Sequence, residues 1–579
     1  VILEMEDGRC VFDKVEWFAE DAVRALPGSR YKKGVWSVPE TRTAISIALA
    51  SVTGLELGPI LRRRWELSEG SVEDVLDARR IARDPANDCP GHPEFYPYQR
   101  TGTKFLIRSG SAILADSPGL GKTAQTINAI NMSNAWPALI VCPSAVRATW
   151  VREFAKWAPL VDVAVVTGTA KQREAILEKD HDVYIIGWEA LRLHSRLAPY
   201  GSIRLSDKEK TPGSLNRYWG VVVADEAHRA LKAKSKQTRA LWSVGSNAGG
   251  RIALTGTPIA NSPADLWALL HFVEPEEWPS KVKFIDRYCE TTVNSFGGLE
   301  IIGLKKENES ELLELISLHF LRRSKELALP WLPPKTFERL DVEMLPSQAK
   351  AYRQLEKDLI ADLESGTTMA LDSLTMTTRL LQLSSGVCDV DDEGKFRMVG
   401  PSPKVSALLE LLGDLDEEPV VVFATSRQLI DLACAELEKA GISWCRIVGG
   451  QSEEERADAE TGFQDRKYRV LLATVSAGGE GLTLTAAAIT VFLDRPWSLV
   501  QRLQAVDRTH RPGQEAESVL VIDIITPDTI EESVVSALDR KGATLESIVR
   551  DKHALLRLLR RDDPDLLIEA ANYLRERTR

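Results

Sequence analysis

Short apolar runs alternate with stretches of helical period through the middle of this chain and again through most of its second half. SAILAD, ALIVCP, DVAVVTG, DVYIIGW, GVVVADEAH and RIALTGTP each end in turn residues or lead into a helical pattern. Such runs predict buried strands, and their alternation with helices predicts a parallel, doubly wound α/β lobe over residues 86–272. The rhythm breaks over 273–403 into mostly helical insertions and linker, with a hairpin expected at the Glu393-Gly394 step. It resumes with PVVVFATS, SWCRIVGG, YRVLLATV, AAAITVFLD and SVLVIDII, which predict a second α/β lobe over 404–547. Residues 1–85 read as a small α+β module. Phe18, Val23 and Leu26 recur at helical spacing before a turn at Pro27-Gly28, then come a short strand and a helix entered near Thr41. The turn-rich segment DPANDCPGHPEFYP is the expected boundary, and 548–579 reads as a charged helical tail.

At 579 residues the chain is too long for one core. No apolar run approaches the ~20 residues of a membrane span, and the start has no basic segment followed by an apolar one. An intracellular setting without a membrane is therefore expected: cytoplasmic in a bacterium or phage host, nuclear if the chain is eukaryotic. Seven cysteines without a C-x-x-C pair argue against a zinc site or a disulfide framework. Cys142, in ALIVCP, reads as a buried strand residue. A net charge of −11 means that any nucleic-acid contact must be local. The basic clusters Arg62 to Arg64, Lys232 with Lys234 and Lys236, and Arg322 with Arg323 and Lys325 read as solvated surface.

Three strings carry candidate chemistry. Asp116 to Thr123 (DSPGLGKT) lies between a predicted strand and a predicted helix. There Gly119, Leu120 and Gly121 would present backbone N–H groups to phosphates, Lys122 would reach the β/γ-phosphates, and Thr123 would ligate Mg²⁺. The alternative is a glycine-rich turn with a surface lysine. Further on, a strand ends in Asp225 and Glu226. Carboxylates at that end face the crevice where such sheets bind ligands, so Asp225 suits Mg²⁺ and Glu226 the attacking water, with His228 linking them to the cleft. A helix N-cap is the other reading of the same residues. Late in the chain, Arg508 and Arg511 sit in QAVDRTHRPGQ, expected as one helix stopped by Pro512-Gly513. They either reach a nucleotide from a second domain or offset a helix dipole. Ahead of the phosphate loop, Gln99 carries a carboxamide able to read adenine, and Tyr96 or Tyr98 would stack nearby or belong to the core.

The order YQRTG, DSPGLGKT, PSAVRATWVREFAKW, DEAH, LTGTPIANS, LRRSKELALPWLPPK, ATVSAGGEG and QAVDRTHRPGQ resembles the SWI/SNF-related branch of superfamily 2 helicase-like proteins, over Pro97 to Lys541. The resemblance implies two RecA-like lobes, with ATP between them and double-stranded DNA crossing both. It implies that Gln99 reads adenine, that Arg511 is the arginine finger assisted by Arg508, and that Gln504 lines the cleft. Thr255 and Thr257 would couple hydrolysis to lobe movement. Ser144, Ser426, Thr474, Gly478 and Gly479 would contact the DNA backbone, in contacts that carry no sequence information. Asp116 matches the family pattern, whereas Ser117-Pro118 and Pro512 depart from it. The segment around Pro27, Gly28, Tyr31, Trp36 and Pro39 resembles the module that precedes the motor in HARP-type annealing helicases.

The expected activity is a DNA-dependent ATPase using ATP and Mg²⁺ that translocates on double-stranded or forked DNA, annealing strands or remodelling forks in replication or repair. One alternative is a remodeller displacing a protein partner, such as RNA polymerase, from DNA. Another, of a different class, is a non-motor DNA-binding scaffold.

Overall fold

A computed structural model describes residues 1–532 except 7–8, 16, 27–28, 33, 40–41, 85–86, 260–262, 294–298, 366–369, 391–395, 479–481 and 497–498. The tail expected at 548–579 lies outside the described residues. The chain divides into two compact units, one running to Ala328 and the other starting at Leu329.

The first unit opens on a five-stranded sheet, β1 (Ile2–Glu6), β2 (Arg9–Asp13), β3 (Arg30–Lys32), β4 (Val35–Pro39) and β5 (Glu56–Leu57), in the order β3-β4-β2-β1-β5. The helix and strand expected near Val23 and Trp36 are present, as is the helix after Thr41, at Arg42–Ser51. The pairing of β1 with β2 and the 25-residue helix Pro59–Arg83 were not anticipated.

The main sheet of this unit contains β6 (Ala112–Leu114), β7 (Ala138–Cys142), β8 (Val163–Val166), β9 (Val183–Gly187), β10 (Trp219–Asp225) and β11 (Ala248–Leu254). A hairpin, β12 (Cys289–Val293) with β13 (Leu299–Leu304), stands apart, and β14 (Phe320–Leu321) closes the sheet in the order β14-β6-β11-β10-β7-β9-β8. All its pairings are parallel. Apolar residues alternate between its faces: Leu139 and Val141 join one core, Ala138 and Ile140 the other. Cys142 is fully buried in β7, as expected.

The second unit repeats the plan with β15 (Lys335–Asp341), then, after the small hairpin β16 (Cys388–Val390) and β17 (Phe396–Met398), β18 (Val420–Ala424), β19 (Trp444–Ile447), β20 (Val470–Thr474), β21 (Ile489–Phe492) and β22 (Val519–Ile525). Its six-stranded sheet is also parallel, in the order β15-β22-β21-β18-β20-β19. Val420 and Val422 face one core, Val421 and Phe423 the other. The hairpin expected near Gly394 is there, its tip lying outside the described residues.

The segment read as helical insertions and linker, 273–403, is thus not external to the lobes. It supplies β14 to the first sheet and β15 to the second. Two-residue strands such as β14 carry too little periodicity to register in sequence.

The basic cluster at 322–325 also departs from expectation. Arg323 and Lys325 are 2% and 3% exposed. The Arg323 guanidinium donates to both Asp116 carboxylate oxygens, at 3.1 and 2.5 Å, to Gln125 Oε1 at 2.8 Å, to Ala82 O at 3.3 Å, and to Tyr98 O. Burial of a charge requires this degree of pairing.

Arg323→Met, which strands the buried Asp116 carboxylate, should therefore lower the stability of the first unit by about 3–5 kcal/mol. Urea unfolding followed by tryptophan fluorescence checks this, and an unshifted first transition would refute it.

Candidate nucleotide and nucleic-acid sites

The C-terminal ends of β6, β11 and β10 are adjacent, and they carry DSPGLGKT, LTGTP and the Asp225-Glu226 pair respectively. Parallel sheets of this kind take ligands at that end. The helix Lys122–Ser133 starts directly after Gly121, whose φ of +70° lies in the left-handed region. The positive φ favours glycine, and a Cβ there would come 2.3 Å from Gln99 Nε2 and displace that carboxamide. The Lys122 ammonium donates to Asp116 O at 2.7 Å, folding back over the loop's own carbonyl. Thr123 follows in the first turn of the helix, half-buried.

Gln99 is brought to this loop, as predicted. Its Oε1 accepts from Tyr96 N–H at 3.0 Å and its Nε2 lies 3.5 Å from Leu120 O. The two tyrosines separate: Tyr98 is buried beside Arg323, whereas Tyr96 is 37% exposed and stacks on Tyr98 at 5.9 Å. The side chains of Asp116 and Leu120 turn inward, away from the face the loop presents. Both are fully buried, Asp116 engaged by Arg323, so each offers only its backbone to a nucleotide.

Asp225 closes β10. Its Oδ2 accepts from Trp150 Nε1 at 2.8 Å and its Oδ1 from Glu226 N–H at 2.9 Å, while Trp188 Nε1 donates to its carbonyl at 3.0 Å. Burial, reinforced by the neighbouring Glu226 charge, pushes the Asp225 carboxyl up to about 6, against the Trp150 bond and the Lys122 ammonium. Lys122 thus acts electrostatically on Asp225. Glu226 has φ +49°, a left-handed conformation rare outside glycine, and its Oε2 lies 3.1 Å from His228 Nδ1.

Two carboxylates and a hydroxyl of this kind suit a hard cation shared with phosphate oxygens. Among the described residues no cluster of three or more His, Cys, Asp or Glu forms a metal site by itself. Of the coupling residues, Thr255 is buried and its Oγ1 accepts from Thr257 N–H at 3.0 Å, knotting the turn.

Ser144 is exposed beyond β7. A Cβ on Gly187, at the end of β9, would meet its Oγ at 2.9 Å. Arg147, which sequence reasoning passed over, donates to Ser144 O at 3.2 Å and to Thr167 Oγ1, beyond β8, at 3.1 Å. Three strand ends therefore share one polar surface.

In the second unit the arginine motif differs from expectation. The helix Leu499–Val506 holds half-buried Gln504 but stops before both arginines, which lie in turns. Asp507 N–H still bonds Leu503 O at 2.9 Å, whereas Arg508 N–H bonds Ala505 O at 3.0 Å, a tightening that ends the helix. Arg508 is 4% exposed and donates to Leu482 O at 3.4 Å. Arg511 is half-buried and donates to Asp507 O at 3.0 Å and Thr483 Oγ1 at 3.2 Å.

Ser426 occupies the N-cap position of the helix Arg427–Lys439, its hydroxyl making no capping bond. Before it, Thr425 is held through its N–H and hydroxyl by buried Asp494, at 2.5 and 2.6 Å. Asp494 was another residue not foreseen. Thr474 ends β20 with its hydroxyl buried and no hydrogen-bond partner among the described residues. Gly478 ends the short helix Val475–Gly478, and Gly479 lies outside the described residues.

Comparison with known proteins decides the family. The model of the SNF2-related domain matches residues 98–390, just over half of the chain, and that of the helicase conserved C-terminal domain matches 403–513. The chain belongs to the SNF2-related family. Among its SNF2-related relatives, Protein CHROMATIN REMODELING 5 of Arabidopsis thaliana is 29% identical over 80% of this chain and 28% of its own length. Putative ATP-dependent helicase/translocase YwqA of Bacillus subtilis is 30% identical over 88% of this chain and 57% of its own. DNA annealing helicase and endonuclease ZRANB3 of Bos taurus is 27% identical over 78% and 41%. The chain therefore spans between 28% and 57% of the length of these relatives. No helix among the described residues is long and apolar enough to cross a membrane.

The Asp225 environment generates a test that needs no nucleotide. An acid whose folded pKa is raised keeps a proton that the unfolded chain has lost, so stability falls as pH climbs from 3.8 to about 6. Asp225→Asn removes that penalty. The variant should melt above the unmodified protein at pH 8, with the gain shrinking as pH is lowered towards 5. A melting temperature lowered at pH 8 would contradict it.

Proposed function

We propose that this chain is an ATP-hydrolysing motor that acts with Mg²⁺ and moves along double-stranded DNA. The observation that carries the reading is the half-buried Asp225-Glu226 pair, set one strand away from LTGTP and two from the phosphate loop, with Lys122 acting electrostatically on Asp225. Backbone N–H groups around Gly119 and Gly121 cradle phosphates at the helix N-terminus, and Lys122 exchanges the Asp116 carbonyl for a phosphate oxygen. Thr123 and Asp225 would hold Mg²⁺, which would supply positive charge to the phosphate oxygens. Glu226, kept in place by His228, orients the attacking water. Tyr96 and Gln99 border the base, and Thr255 with Thr257 couples hydrolysis to movement. Arg511 is the finger in this reading. Arg508, bonded to Leu482, supports the turn that presents it. Ser144, Ser426, Thr474 and Gly478 are proposed contacts to the DNA backbone.

We further infer action on strand annealing or forks, in the manner of the HARP-type branch. Two facts support this: a relative named as a DNA annealing helicase, and the edge hairpin of the first sheet. On that hairpin Arg30, Tyr31 and Lys32 are all exposed, and the Tyr31 ring lies 5.0 Å from Trp36. Basic and aromatic side chains together suit unpaired bases and their phosphates.

ATP turnover should rise with duplex and forked DNA more than with single strands or RNA. Lys122→Ala and Glu226→Gln should abolish it, and Arg511→Ala should cut kcat by roughly 10³-fold. Near-normal DNA-stimulated turnover in both Lys122→Ala and Glu226→Gln would sink the assignment. Turnover indifferent to every nucleic acid would favour the scaffold.

A further inference from the structure

The ladder between β14 and β6 does not end with the strands. Ala115 N–H bonds Leu321 O at 2.7 Å and Ser117 N–H bonds Arg323 O at 3.0 Å, so residues 322–323 run beside the opening residues of the phosphate loop. Alternation along this extended stretch sends the two arginines to opposite faces. Arg323 goes into the core with Asp116. Arg322 goes the other way, passing over the end of β6 to donate from Nη1 to Gly256 O at 3.3 Å, in the LTGTP turn beyond β11.

Gly256 is itself seated on the phosphate loop. A Cβ there would lie 3.0 Å from Pro118 Cγ and 3.1 Å from Pro118 Cδ, so the turn and the loop are in tight contact. Burial opposes the Arg322 charge and Asp116 supports it, so the guanidinium sits in a weakly screened site at the root of the phosphate loop. A planar fork has the reach and the multiple donors to lace adjacent strand ends, which a lysine ammonium lacks.

We propose that Arg322 is a positioning residue that couples the phosphate loop to the Thr255–Thr257 turn, so that displacement of residues 116–118 by a bound phosphate is passed to the turn. It rests on the ATP-motor reading above and adds to it the side chain through which the loop and the turn move together.

The experiment uses the full chain and compares Arg322→Ala and Arg322→Lys with the unmodified protein. Fluorescent ADP binding, KM for ATP, and kcat with and without duplex DNA are measured. For Arg322→Ala, ADP affinity and KM should stay within about threefold, while kcat on duplex falls by about tenfold or more. Arg322→Lys, which keeps the charge but not the fork, should be intermediate. A DNA-stimulated kcat equal to the unmodified protein's in Arg322→Ala overturns the proposal. So does a loss of ADP binding in step with a lowered melting temperature in both variants, which marks a purely structural arginine. Absence of DNA-stimulated turnover in the unmodified chain would be seen before any variant is made. It would overturn the motor reading, and this proposal with it.

Discussion

One guanidinium holds the first unit together. Arg323 is bound to Asp116 at the end of β6, to Gln125 in the helix after the phosphate loop, to Tyr98 in the helix before it, and to Ala82 in the long N-terminal helix. A cation this deep is tolerable only because carboxylate and carbonyl oxygens surround it. The requirement runs outward from there. Gly102 has no Cβ because one would fall 2.0 Å from Gln125 Oε1 and 2.5 Å from Arg323 Nη2. Gln125 in turn donates to Leu120 O at 3.0 Å, fixing the loop from behind. The loop that meets phosphate is thus held from its buried side by side chains that take no part in chemistry.

That arrangement explains why the acidic pair can be so unfavourable in isolation. Asp225 is a buried carboxyl with a second acid beside it, and Glu226 occupies a backbone conformation that non-glycine residues avoid. Each is a local cost that the surrounding structure must offset. The two indoles on Asp225 and the strand pairing of β10 on both sides supply the rigidity.

The parallel lobes were legible in the sequence because buried strands of such sheets are continuous apolar runs, and the placement of the glycines, Lys122 and the paired acids at strand ends because these residues follow strands directly. What escaped notice was what depends on pairing partners distant in sequence. Arg323 looks like surface because its neighbours Arg322 and Lys325 make a basic cluster; only its 207-residue link to Asp116 reverses that reading. Asp494 and Arg147 were overlooked for the same reason, since each acts on a loop that lies elsewhere in the chain. The spacing of the two arginines of QAVDRTHRPGQ predicts one helix for both. Buried Asp507 and Thr509, and a His510 ring bonded to Pro333 O at 2.9 Å, pull the backbone into turns instead, burying one arginine and leaving the other partly open.

Pro118 shows how a departure from a family pattern can be read physically. In the phosphate loop a proline gives up a backbone donor, which a purely chemical view counts as a loss. Its ring, however, is the surface on which Gly256 sits, and a ring with fixed φ transmits displacement better than a freely rotating side chain. The loop has one fewer N–H to offer a phosphate and a stiffer contact with the turn that reports on it. Any side chain opposite the ring would require Pro118 or the turn to give by a few tenths of an ångström. The ring contact thus stands beside the Arg322 bond to Gly256 O as a second link between the loop and the turn.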